Sequence, residues 1–149
     1  MHIHQSILDA ATGNNIFSDK KGEPSPLFLN YIAGLERYTA AATLLFAPHV
    51  NSYRRLSRFM SAPTNVHWGY DNRTCGFRIP NSTPTNRRVE NRVPGVDVNP
   101  YLAMAATLAC GYLGTVSYTH LRAHETVLDL VCRLLLEKKK KIISHRSNH

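Results

Sequence analysis

Two prolines set the strongest constraint on how this sequence folds. Between Pro26 and Pro48, the residues Leu27, Tyr31, Leu35, Tyr38, Leu44 and Leu45 recur at the spacing of one helical face. Proline is tolerated in the first turn of a helix, where its missing N–H leaves no bond unmade, and it stops a helix that runs into it. The spacing predicts one long helix over residues 26–47, with Gly34 a mild weak point. A second helix start stands at Asn99-Pro100, a capping side chain followed by proline at the first helical position. It predicts an alanine-rich helix over residues 101–113, apolar nearly all round and therefore buried, and ended by Gly114. Strands fit residues 2–6, 66–70, 73–79 and 87–93, the middle two around the turn Asp71-Asn72 and the last closed by Pro94-Gly95. Residues 51–60 are irregular and arginine-rich.

With 149 residues and 43% hydrophobic content, the chain can pack one modest core. No apolar run approaches the roughly 20 residues of a membrane helix. The first residues lack the charged start and apolar stretch of a signal peptide. Cys75, Cys110 and Cys132 are odd in number and widely spaced, with no CxxC pair. Reduced thiols in a cytoplasmic protein are the reading adopted. The net charge of +8 invites a nucleic-acid reading, but half of that excess lies beyond residue 116, largely in Lys138-Lys139-Lys140-Lys141. The basic residues before it are nearly all arginines, whose planar guanidinium suits compact carboxylate and phosphate anions.

Three constellations could carry chemistry. His2-x-His4-x-Ser6 on a strand turns two imidazoles and a hydroxyl to one side, a set that can bind a divalent metal or phosphate oxygens. An exposed, half-polar strand end would show the same pattern. Arg88-x-Glu90-x-Arg92 places a carboxylate between two guanidiniums that hold it ionised; such a carboxylate can ligate a hard cation, and a solvated salt-bridge ladder is the plain alternative. Arg54, Arg55, Arg73 and Arg78 lie on separate elements and can converge on a polyanion or remain ordinary surface charge. There is no GxxxxGK[ST], GxGxxG or GxSxG motif.

The blocks Met1-His2-Ile3-His4-Gln5-Ser6, Asn51-Ser52-Tyr53-Arg54-Arg55-Leu56, Ala62-Pro63, Gly69-Tyr70-Asp71-Asn72-Arg73, Arg78-Ile79-Pro80, Arg87-Arg88-Val89-Glu90-Asn91-Arg92 and Asn99-Pro100-Tyr101-Leu102-Ala103 follow in order. Their order and spacing resemble the glutamine synthetase catalytic domain over residues 1–114. The resemblance implies an α/β (α+β) fold, with part of a curved antiparallel sheet carrying the site and helices flanking it. It implies an ATP-dependent ligase in which two divalent cations, Mg2+ or Mn2+, hold ATP and glutamate. Glutamate is phosphorylated on its side chain, and ammonia or an amine displaces the phosphate. By matching motif positions, His2 and Glu90 resemble metal ligands. His4, Ser6, Arg78 and Arg88 resemble nucleotide or phosphate contacts, Arg55 and Arg92 glutamate-binding arginines, and Arg73 the arginine on the transferring phosphoryl group.

Three departures accompany the match. Ser61 stands where ammonia-using members of the family carry a glutamate, which makes the chain similar to the branch that uses amines such as putrescine. The remaining metal-binding glutamates of the family lie upstream of His2, so the isolated chain is expected to lack synthetase activity. From residue 115 the match stops, and residues 116–140 resemble a tail recurring on unrelated partial proteins, similar to translated adapter DNA. Residues 115–149 are accordingly expected to be a non-family tail. The parent resembles a large homo-oligomer, without nucleic-acid or membrane partners. The rival readings are a small basic nucleic-acid-binding protein and a non-functional truncated reading frame.

Overall fold

The computed structural model of the protein describes residues 1–57 and 62–119. In chain order it contains β1 (Ile3–Gln5), α1 (Pro26–Phe46), β2 (Trp68–Tyr70), β3 (Phe77–Ile79), β4 (Val89–Asn91) and α2 (Pro100–Val116). A 3-10 helix over Val50–Arg55 replaces the irregular stretch read from the sequence. Both long helices start as the local chemistry dictates. The Ser25 hydroxyl accepts the Phe28 N–H at 3.2 Å ahead of Pro26, and the Asn99 side chain accepts from the N–H groups of Tyr101 and Leu102 ahead of Pro100.

The four strands form one sheet in the order β1-β4-β3-β2. β1 and β3 flank β4 antiparallel, as the resemblance implied. β2 departs from this: it runs parallel to β3, with Trp68 opposite Phe77 and Tyr70 opposite Ile79. Asp71, at a φ of 45°, turns the chain back, and residues 72–76 retrace the length of β2 before β3 begins. Asn65 holds this return: its carboxamide oxygen accepts from His67 N–H and Gly76 N–H, and its NH2 donates to Thr74 C=O.

Alternation divides the sheet into two faces. Ile3, Trp68, Phe77, Ile79 and Val89 point to the helices and join Phe17, Phe28, Tyr31, Ile32, Leu35, Phe46 and Cys110 in the core. Full burial of each large side chain stabilises the fold by roughly 1.5–3 kcal/mol. Asn91 also points inward, where its NH2 donates to the Thr107 hydroxyl of α2 at 3.0 Å.

Three glycines let the two helices touch. A Cβ on Gly34 would stand 2.6 Å from the Gly114 Cα, and one on Gly111 would lie 2.1 Å from the Tyr31 ring. Gly34 is therefore a packing position rather than a weak point. Gly114 likewise does not end α2, which continues to Val116; the chain reverses only afterwards, at Tyr118, whose φ is 46°. α2 is not buried all round. Its Ala103, Ala106, Thr107, Cys110, Gly111 and Gly114 side faces α1 and the sheet, while Tyr101, Leu102, Leu108 and Tyr112 are exposed. Residues 120–149 of the expected tail lie outside the described residues. Among those described, no helix is long and apolar enough to cross a membrane.

Candidate functional site

The outward face of the sheet is built by the same alternation that fills the core. Residues flanking Val89 and Asn91 on β4 are Arg88, Glu90 and Arg92, and they turn away from the helices. Register then places His4 of β1 and Arg78 of β3 on either side of Glu90. Glu90 is the centre: the residue is only 2% exposed, so its carboxylate needs partners close by. Arg78 donates to Oε2 at 2.8 Å and Arg92 to Oε1 at 3.0 Å. His2 Nδ1 stands 2.9 Å from Oε1.

Burial works to raise the Glu90 pKa. The hydrogen bond from Arg78 and the charges of Arg92, His4 and Arg78 outweigh it, and the carboxyl sits below its ordinary range. For His2, burial and then the positive charge of Arg92 lower the imidazole, against an opposite pull from Glu90. The His2–Glu90 contact is thus read as a neutral imidazole beside a carboxylate.

Arg55 approaches from the other side, at the end of the 3-10 helix. Its guanidinium donates to Val93 C=O, and burial lowers its pKa against the charge of Asp97. Arg55, Arg92 and His2 line one cavity of about 300 Å3, together with Gly95 and Val96. Among the described residues, the Nε atoms of both Arg55 and Arg92 are buried without a hydrogen-bond partner. Two guanidiniums lining one cavity suit an anion such as a carboxylate.

Ser6 and Arg88 line a second, polar cleft of about 630 Å3 with Thr83, Thr85 and Asn86. Arg88 donates there to Asn86 C=O at 3.3 Å. Arg73 joins neither group: it is exposed on the return between β2 and β3 and lines neither cavity. Arg78 spends its donors on Glu90 and on Asp71. Asp71 is a partner the sequence reading passed over, as are Ser52 and Asp97, whose side chains bond each other. The sequence marks Asp71 only as a turn residue and gives no sign that Ser52 and Asp97, 45 residues apart, would meet. Ser61 lies outside the described residues.

A divalent cation fits this site in part. Adjacent donors in an octahedral shell with 2.0–2.1 Å bonds lie about 3 Å apart, and His2 Nδ1 and Glu90 Oε1 are 2.9 Å apart. Among the described residues, however, no group of three or more His, Cys, Asp or Glu side chains could hold a metal. His2 and Glu90 can supply two ligands of a shell that needs about six.

Comparison with known proteins sharpens this picture. The family model described as glutamine synthetase, catalytic domain, matches residues 1–143. A gamma-glutamylputrescine synthetase of Escherichia coli K12 is 48% identical over 109 residues, 73% of this chain and 23% of that protein. A gamma-glutamylethanolamide synthetase of Streptomyces coelicolor is 44% identical over 113 residues, 76% of this chain and 24% of the relative. A type-1 glutamine synthetase of Dictyostelium discoideum is 38% identical over 142 residues, 92% of this chain and 27% of the relative. The chain thus spans about a quarter of the length of the curated relatives it matches.

Proposed function

Because the chain belongs to the glutamine synthetase catalytic-domain family, we propose that its polar sheet face is the glutamate-binding part of an ATP-dependent ligase site that makes γ-glutamyl amides. The observation that carries this reading is that two guanidiniums, of Arg55 and Arg92, line one cavity together with His2. Glutamate presents a carboxylate of the right charge and size to these arginines. Its side-chain carboxylate then points toward His2 and Glu90, where a bound Mg2+ or Mn2+ would neutralise phosphate charge.

The nucleotide reading rests on the second cleft, with Ser6 and Arg88 on its wall; His4, opposite Glu90 in the sheet, lines neither cavity and joins this reading by resemblance. In the reaction a carboxylate oxygen of glutamate attacks the terminal phosphorus of ATP, and the P–O bond to ADP breaks. The amine nitrogen then bonds to the acyl carbon, phosphate leaves with the C–O electron pair, and the nitrogen gives up a proton. Arg92 and Arg55 hold the substrate; Arg78 keeps Glu90 ionised through its hydrogen bond. Arg73, reached by resemblance alone, is the group assigned to the transferring phosphoryl oxygens.

For the second substrate, relatives named for putrescine and ethanolamide products and the serine at position 61 favour an amine over ammonia. The rival nucleic-acid reading has less support, since Arg78 and Arg92 turn onto Glu90 and Arg55 onto a backbone carbonyl. With two metal ligands in hand, the chain by itself is proposed to bind glutamate without completing the reaction. Calorimetry with L-glutamate tests this. Arg92→Lys should weaken binding about tenfold or more, because an ammonium lacks the planar fork that lets Arg92 hold Glu90 and still face the cavity. Equal affinity for wild type and variant would sink the glutamate reading. Phosphate release with ATP, glutamate and putrescine above a Glu90→Ala control would overturn the incompleteness.

A further inference from the structure

We infer that Asp97 is a positioning residue for Arg55, fixing the 3-10 helix that carries this arginine into the cavity it shares with Arg92 and His2. The inference rests on the glutamate reading for its functional consequence and on geometry alone for its structural one. The 3-10 helix over Val50–Arg55 is weakly anchored: Ser52 is its one buried residue, and Val50 and Tyr53 are exposed. Two tethers hold it among the described residues. At its end the Arg55 guanidinium donates to Val93 C=O. One turn earlier the Ser52 hydroxyl donates to the Asp97 carboxylate and accepts the His49 N–H at 3.0 Å.

Asp97 is itself held in place. It lies two residues before Asn99, the cap of α2, and Val98 beside it is in the core. Gly95 N–H donates to Phe46 C=O at 3.0 Å, which ties the same loop to the end of α1. Gly95 also explains how the loop comes so close. A Cβ there would stand 2.2 Å from Asp97 Oδ1 and 3.1 Å from Arg55 Nε. The carboxylate and the guanidinium therefore flank a point that only glycine leaves open. Asp97 thus links three things: the start of α2, the buried hydroxyl of the 3-10 helix, and the charge of Arg55.

Without the Asp97 carboxylate the Ser52 hydroxyl is a buried donor with no acceptor, and a six-residue helix depends on one remaining tether. Misplacing a positioned group by about 1 Å can cost ~100-fold in function. The effect should therefore appear in how Arg55 meets its ligand, and not in the global fold.

The test is side-chain NMR of the 15N-labelled chain, with the Arg55 Nε–Hε signal assigned by its disappearance in Arg55→Lys. In Asp97→Ala this signal should move to the position of a mobile arginine. The amide signals of α1 and α2 should stay in place, and the L-glutamate affinity read from the titration should fall about tenfold or more. Asp97→Asn, which keeps an oxygen to accept from Ser52, should restore most of the shift. An Arg55 signal and a glutamate affinity both unchanged in Asp97→Ala overturn the positioning role. If glutamate moves no signal, or moves the same signals in Arg55→Lys, the glutamate reading fails instead, and the Arg55 signal in Asp97→Ala still decides the positioning. Should Asp97→Ala not fold, Ser52→Ala removes the same bond from the other end and must show the same displacement of Arg55.

Discussion

The two faces of one short strand behave as different materials. On β4, Val89 and Asn91 enter the core and meet carbon, one glycine-lined helix pair and the Thr107 hydroxyl. One residue away on either side, Arg88, Glu90 and Arg92 look outward to charge. The inner face is specified by shape: Gly34 and Gly114 let the backbones of α1 and α2 meet, and Gly111 makes room for the Tyr31 ring. The outer face is specified by charge: one buried carboxylate is kept ionised by two guanidiniums. Core packing fixes the backbone to fractions of an ångström, and the outward groups inherit that precision.

If shape rules the inner layer, the largest effect should come from adding one carbon there. In Gly114→Ala the new Cβ would lie 2.2 Å from Asn30 C=O and 2.5 Å from the Gly34 Cα. Overpacking costs typically about 1–3 kcal/mol when side chains can yield. Here the obstructing atoms are helix backbone, so the helices must separate, and the cooperative urea transition should be lost. A transition with an unchanged midpoint would mean that the helix pair is looser than its geometry.

The outer layer should answer to charge at nearly constant shape. Glu90→Gln keeps the volume but leaves Arg78 and Arg92 sharing an uncharged partner. Removing one member of a buried ion pair costs about 3–5 kcal/mol, and because both guanidiniums retain some exposure the lower end, about 3 kcal/mol, is expected from urea unfolding. A loss under about 1 kcal/mol would show that the ladder behaves as a solvated surface network.

The same division decides what the sequence discloses. Proline and cap signals are local, and they place the start of both helices within a residue of Pro26 and Pro100. The period of two puts Arg88, Glu90 and Arg92 on one face before any tertiary contact is known, but the guanidinium that joins Arg92 on Glu90 is that of Arg78, while Arg88 turns to Asn86 C=O. Close approach is a property of a pair, so Gly34 reads as a weakness and Gly114 as a stop until each is seen against the other. Alternation tells a strand's face but not its direction: the expected antiparallel pairing around Asp71-Asn72 gives way to a parallel one, because Asp71 turns the chain back before β3 begins. The partners of Asp71 and Asp97 are set by the fold: Asp71 meets Arg78 across the return between β2 and β3, and Asp97 meets Ser52 and the charge of Arg55 from far along the chain. Arg73 is the reverse case, named by resemblance and placed by the fold on an exposed return away from both cavities.

The smallest effect separates the layers by pH. Tyr31 is wholly buried between Phe17 and Gly111, and its hydroxyl donates to the Gln5 side chain at 2.7 Å. Burial, with a lesser contribution from Cys110, pushes its phenol well above the ordinary value, which is near 10. Between about pH 10 and the folded value the unfolded chain gives up this proton and the native state keeps it. The Tyr31 contribution is therefore whole below about pH 10 and is lost as pH rises through the folded value, at up to about 1.4 kcal/mol per pH unit. Tyr31→Phe should cost about 1 kcal/mol at neutral pH, for the hydrogen bond to Gln5, and the two stability curves should converge above about pH 10. Glu90→Gln should not change the slope there, since a carboxylate is already ionised. If Tyr31→Phe instead runs parallel to wild type up to pH 12, the alkaline loss belongs to other core groups. Cys75 and Cys110 would then be the candidates, because burial raises both thiols, and the loss would begin nearer pH 8.5.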